Sequence, residues 1–100
     1  MNQLLVNKID KVTSAMKLHH VKNAYAFGSI CTDRFNETSD LDFLVSFEEM
    51  QPGDYADNYF SLLYQLQEIF NREVDLITEK SLKNKYFINA INKSKISLYE

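Results

Sequence analysis

Residues 39–47 read Ser39-Asp40-Leu41-Asp42-Phe43-Leu44-Val45-Ser46-Phe47, and the fold turns on this run. From Leu41 to Phe47 the residue types suit a pleated, half-buried surface, which predicts a strand. Side chains alternate across a strand. Asp40 and Asp42 therefore project from one face, while Leu41 and Phe43 turn to the other and anchor the segment. Upstream, Val21 to Phe27 reads as another strand, buried on both faces near its end and stopped by Gly28-Ser29. Downstream, residues 73–78 (Glu-Val-Asp-Leu-Ile-Thr) read as a third.

Helical patterns fill the intervals. Leu5, Ile9, Val12 and Met16 recur at the spacing of one helix face, with Lys8, Asp10, Lys11 and Lys17 on the other side and His19-His20 at the end. Past Pro52-Gly53, the residues Tyr59, Leu62, Leu63, Leu66, Ile69 and Phe70 form a second apolar stripe. Its start is expected at Asp54 or Asp57, where a short acidic side chain can accept from free backbone N–H groups. Tyr86, Phe87, Ala90 and Ile91 suggest a short third helix, and Ile96 to Tyr99 a final short strand. This order predicts an α/β (α+β) domain: a small mixed β-sheet with helices packed mainly on one face, and the other face or one edge open for function. With 100 residues, no repeat and no low-complexity tract, a single domain over residues 1–100 is expected.

Composition narrows the function. The net charge of -3 argues against a surface that grips a nucleic-acid backbone, so no direct nucleic-acid binding is expected. A single nucleotide remains open, because metal ions can hold its phosphates. Cys31 is the one cysteine and cannot form an intramolecular disulfide, which suits a reducing, cytoplasmic setting. No secretory signal opens the chain and no run approaches the roughly 18 apolar residues of a span, so no membrane role is expected.

The chemistry gathers around Gly28, Ser29, Asp40, Asp42 and Asp75. Glycine lets a phosphate approach the backbone, and a serine hydroxyl can donate to a phosphate oxygen. A helical turn over residues 31–35 would aim further N–H groups at the same anion. Two carboxylates held close on one face repel, and a hard divalent cation such as Mg²⁺ relieves them. Asp75 lies in the apolar run Val74-Asp75-Leu76-Ile77, a costly place for a carboxylate unless it sits beside the other two. Three carboxylates can support two metal ions roughly 3.5–4 Å apart, the arrangement used for in-line attack at phosphorus. Other polar residues have plainer readings. His19 and His20 are helix-end surface residues, Cys31 is incidental, and Lys80, Lys83, Lys85, Lys93 and Lys95 form a solvated face. Tyr55 and Tyr64 fall beside the second stripe and could serve a partner.

Gly28-Ser29, Ser39-Asp40-Leu41-Asp42 and Asp75, in this order and spacing, resemble the signature of the nucleotidyltransferase superfamily that includes DNA polymerase beta and kanamycin nucleotidyltransferase. Within it the chain is most similar to the minimal nucleotidyltransferases of bacteria and archaea. The likeness runs through Asn84-Lys85-Tyr86-Phe87 to the Ser97-Leu98-Tyr99 ending. The resemblance implies that Gly28 and Ser29 contact a nucleoside triphosphate, ATP first, and that Asp40, Asp42 and Asp75 are both catalytic and metal-binding, holding two Mg²⁺ ions or Mn²⁺ in their place. Asp75 would favour deprotonation of the acceptor hydroxyl, and Ser39 would orient the acidic pair or a phosphate. It further implies a small HEPN-domain partner, a toxin that the chain neutralises by transferring AMP to a tyrosine. Association with further copies of the chain is left open. Many relatives follow Gly-Ser with a small residue, an arginine and a glycine; Thr32 and Asp33 stand in the last two places here, with Arg34 displaced by two. This departure also admits a binding-only antitoxin.

Overall fold

A computed structural model describes all of residues 1–100. Three helices, α1 (Gln3–Leu18), α2 (Pro52–Phe70) and α3 (Lys85–Ser94), and four strands, β1 (Val21–Phe27), β2 (Leu41–Phe47), β3 (Val74–Thr78) and β4 (Ile96–Tyr99), follow one another in the order α1-β1-β2-α2-β3-α3-β4. The strands form one mixed sheet in the order β3-β2-β1-β4. β1 runs antiparallel to both β2 and β4, and β2 runs parallel to β3. The expected mixed sheet is therefore present, and β1 and β2 begin and end where the sequence places them.

Alternation along the strands divides the sheet into two unlike faces. Ala24, Ala26, Leu41, Phe43, Val45, Phe47, Val74 and Leu76 enter the main core with Leu5, Val12, Met16, Leu62, Leu66 and Phe70 of α1 and α2. The opposite face carries Phe27 and Leu44, which pack with Ile91 of α3 and with the half-buried Tyr25 and Ile77. Two helices thus cover one face and α3 covers part of the other. Asp42 and Asp75 belong to that second face.

Caps set the helix ends. Asn2 Oδ1 accepts the Leu4 N–H at 2.8 Å to open α1, and Asn84 Oδ1 accepts the N–H groups of Tyr86 and Phe87 at 2.9 and 3.2 Å to open α3. α1 ends at Leu18, as the histidine pair predicts, and His19 Nε2 lies 2.8 Å from Gln65 Oε1 of α2. α2 starts at Pro52 and not at Asp54 or Asp57. Proline's fixed φ suits the first helical position, where its missing N–H would be unpaired anyway. Asp54 instead sits inside the first turn, where its charge favours the positive end of the helix dipole.

The expected turn over residues 31–35 does not form. A 3-10 turn at Gly28–Cys31 takes its place, and Thr32 ends it. The Thr32 N–H and Oγ1–H both donate to the Ser29 carbonyl, at 2.9 and 2.8 Å, and turn the chain extended. Thr32 therefore closes a turn. So short a helix supplies no row of free N–H groups, and the anion-binding argument drawn from residues 31–35 falls.

Candidate active site

Gly28 ends β1 with φ of +78°, a left-handed conformation that side-chain-bearing residues rarely adopt. Its position is doubly constrained: a Cβ there would overlap the carboxylate of Asp42. The overlap follows from strand pairing, because Phe27 is the register partner of Asp42. On the other side of β2, Asp42 is the register partner of Asp75. Partners in a parallel ladder share a face, and adjacent strands lie roughly 4.8 Å apart, so the two carboxylates rise side by side.

Asp42 is half-buried and Asp75 is exposed. Burial, then the charge of Asp75, then that of Asp40, push the Asp42 carboxyl up to about 6. Cys31, whose Sγ donates to the Ala26 carbonyl at 3.6 Å, is raised too, by burial first and by the Asp42 charge second. Tyr59, which donates to the Leu76 carbonyl, is raised by burial and then by Asp75. Negative charge thus reaches Asp42 from two places, Asp75 on β3 and Asp40 just ahead of β2.

Asp40 stands one residue ahead of β2 and is exposed. Its charge reaches Asp42, yet no three His, Cys, Asp or Glu side chains are gathered closely enough to hold one ion among them. The sequence expectation of three converging carboxylates is met by a seat of two, Asp42 and Asp75, with Asp40 at its border. Oxygen donors of this kind suit a hard divalent ion. Residue 28, with no side chain, leaves the room that the Asp42 carboxylate itself takes up, and the paired carboxylates fit such an ion.

Ser29 lies in the 3-10 turn, half-buried, with its carbonyl engaged by Thr32. Ser39 serves the loop itself, its Oγ accepting the Asn36 N–H at 3.1 Å. That loop is fixed further by a residue whose part the sequence does not reveal. Arg72 Nη1 donates to the Asn36 and Ser39 carbonyls at 3.1 and 3.0 Å, and its guanidinium lies 4.7 Å from the Phe35 ring centroid. With the Leu41 N–H donating to the Glu73 carbonyl at 3.1 Å, Arg72 ties the approach to Asp40 onto the end of β3.

Gly28, Asp42 and Asp75 form the charged end of a cleft of about 370 Å³, whose remaining wall includes Phe27, Ile77, Phe87, Ala90, Ile91 and Ser94. Ile77 was open to prediction, since it shares a face with Asp75 two residues earlier. The α3 wall required knowing which face that helix covers. A wider hollow of about 740 Å³ between α1 and α2, bordered by Leu18, Tyr64 and Gln65, holds none of these carboxylates. The cleft is assigned by its chemistry, not by its size. No helix is long and apolar enough to cross a membrane.

Comparison with known proteins agrees with this geometry. A profile described as a nucleotidyltransferase domain matches residues 6–98. A protein of Methanocaldococcus jannaschii, named provisionally as a protein adenylyltransferase, is 37% identical over 78 residues, 77% of this chain and 81% of its own length. A solved structure described as a minimal nucleotidyltransferase superposes with a TM-score of 0.70 at 26% identity, over 96% of this chain and 95% of the other. The same fold recurs, at 21% identity and a TM-score of 0.62, in the complex of a tri-AMPylated HEPN toxin from Shewanella oneidensis with an MNT antitoxin, covering 98% of this chain and 71% of the matched one. With its Gly-Ser turn and strand carboxylates on one face, the chain belongs to the nucleotidyltransferase domain family, among its minimal, protein-adenylyltransferase-like members.

Proposed function

We propose that the chain is a metal-dependent, cytoplasmic protein adenylyltransferase that moves AMP from ATP to a tyrosine of a HEPN-type partner and thereby acts as an antitoxin. The observation that carries this reading is the pairing of Asp42 and Asp75 as register partners on one face of the sheet, at the charged end of a cleft beside Gly28. Asp42 and Asp75 would hold the ion, with Asp40 joining from the loop. Bound there, Mg²⁺ supplies charge neutralisation for the phosphates and a more acidic acceptor hydroxyl. Gly28 and Ser29 receive the triphosphate. Asp75, the more exposed of the paired acids, takes the acceptor proton as the acceptor oxygen bonds to the α-phosphorus. The bond from that phosphorus to the bridging oxygen breaks, and pyrophosphate leaves.

Labelled ATP, incubated with the HEPN partner and either the wild-type chain or Asp42→Ala, tests the reading. Label should enter the partner with the wild type, and the variant should lose at least a hundredfold in rate. Equal incorporation by the two overturns the assignment. Thr32, Asp33 and the two-membered carboxylate seat favour one other reading, a fold that neutralises its partner by binding alone. Neutralisation that survives replacement of Asp40, Asp42 and Asp75 together by Asn would support it.

A further inference from the structure

Asp40 lies outside the strands, yet both peptide groups beside it are tied to the same dipeptide, Arg72-Glu73. On its N-terminal side the Ser39 carbonyl accepts from Arg72 Nη1 at 3.0 Å. On its C-terminal side the Leu41 N–H donates to the Glu73 carbonyl at 3.1 Å. Leu41 is the register partner of Val74, so one step back along both chains sets Asp40 level with Glu73. Residues 72–75 therefore hold the backbone around Asp40 and also deliver Asp75 beside Asp42.

The remaining hydrogen bonds of residues 36–39 stay within residues 34–39. The Asn36 N–H donates to Ser39 Oγ at 3.1 Å, the Thr38 N–H to Asn36 Oδ1 at 2.9 Å and the Ser39 N–H to the Asn36 carbonyl at 3.2 Å. Bonds of this kind fix the shape of the turn and not its place. Arg72 sets the place: the same Nη1 also donates to the Asn36 carbonyl at 3.1 Å, and the guanidinium lies 4.7 Å from the Phe35 ring centroid. An arginine can rest its planar group on a ring and still donate from its edge. Asn36 is exposed and Ser39 half-buried, so water can serve both carbonyls, and exchanging it for Arg72 adds little to stability. What the guanidinium adds is location.

We infer that Arg72 is a positioning residue: by holding the Ser39–Asp40 peptide against the start of β3, it keeps the Asp40 carboxylate at the border of the Asp42 and Asp75 seat, where it joins them on a divalent ion. Arg72 acts through Asp40 and not by contact with the ion or the nucleotide. The assignment rests on the transferase reading above.

Mn²⁺ binding to the full chain, read by calorimetry without nucleotide or acceptor, tests it in the wild type, Arg72→Met, Asp40→Asn and the double variant. Methionine keeps an unbranched stem and removes the donors. Each single substitution should weaken Mn²⁺ about tenfold. The double variant should bind no more weakly than Asp40→Asn, because an arginine that works through Asp40 has nothing to position once that carboxylate is gone. Arg72→Lys, whose ammonium can serve both carbonyls, should recover part of the lost affinity. Amide relaxation of the same samples reads the fold. In Arg72→Met the order parameters of residues 36–39 should fall, while those of β1 and β2 stay near about 0.85.

Unchanged Mn²⁺ affinity in Arg72→Met overturns the assignment. So do losses that add in the double variant, which would mark Arg72 as a general support of the fold. The two failures separate, because binding is read without turnover. If the predicted coupling appears and no AMP reaches the partner, the transferase reading falls and the positioning role stands. If AMP is transferred and Arg72→Met binds Mn²⁺ as the wild type does, the positioning role falls alone. A wild-type chain that binds no Mn²⁺ removes both.

Discussion

At the scale of single residues, the two glycines of the chain do opposite things. Gly28 has φ of +78° and no room for a Cβ, because the Asp42 carboxylate occupies that space. An alanine there meets a left-handed backbone cost of about 1–2 kcal/mol and also displaces Asp42. Gly53 has nothing within 4 Å of where a Cβ would stand, and it lies in the first turn of α2. An alanine there removes chain entropy from the unfolded state and stabilises by up to about 0.5–1 kcal/mol. Thermal unfolding of Gly28→Ala and Gly53→Ala should therefore move in opposite directions, by roughly 4–8 °C per kcal/mol for a domain of this size. A Gly28→Ala chain as stable as the wild type would show that the contact with Asp42 is not a constraint. From the sequence Gly28 was legible as a place for close approach. What approaches, a carboxylate from the next strand, was not, since that depends on Phe27 pairing with Asp42 and not with a neighbour.

At the scale of elements, legibility followed how strongly burial dictates pattern. β1 and β2 alternate against a large core and kept their expected bounds, and the helical stripes found α1 and α2 for the same reason. The loop between β1 and β2 has no such pattern. Its shape comes from individual hydrogen bonds by Thr32, Asn36 and Arg72, and Arg72 lies 33 residues from its Ser39 partner. Periodicity carries no trace of contacts like these. α3 is intermediate: its apolar residues were visible, but not which face of the sheet they cover. Of its ten residues only Ile91 is buried, in a three-residue cluster separate from the main core. Truncating a buried isoleucine to alanine costs about 2–5 kcal/mol, more than so small a cluster can absorb while holding the helix down. Ile91→Ala should release α3 alone, a local opening of the kind hydrogen exchange detects. Amides of residues 88–94 should lose protection while those of β1 and β2 keep theirs. Uniform loss across the sheet would place α3 inside the cooperative core.

At the scale of the whole molecule, the sheet works as a partition, with α1 and α2 securing one face so that the other can carry charge. Asp42 measures the strain of that arrangement. Its carboxyl titrates near 3.8 when unperturbed and is pushed up to about 6 in the fold, by burial first and by Asp75 and Asp40 next. The native state thus holds a proton more tightly than the unfolded chain does. The stability this contributes is fully present below pH 3.8 and is lost as pH rises through about 6. A shift of this size corresponds to about 3 kcal/mol at most, and solvent screening of a half-exposed group reduces it to about 1 kcal/mol. Asp42→Asn carries no charge to lose. It should match the wild type near pH 4, exceed it by about 1 kcal/mol at pH 7, and show a correspondingly flatter pH dependence in thermal unfolding. A divalent cation that binds the native carboxylates stabilises by mass action, by about 2.7 kcal/mol at a hundred times its dissociation constant. Adding Mg²⁺ or Mn²⁺ at pH 7 should therefore raise the wild-type Tm and reverse the order of the two proteins, and a chelator should restore it. If Asp42→Asn is the less stable protein at pH 7 without metal, the carboxylate is held by the fold for stability, and the face opposite the main core is not built to receive a cation.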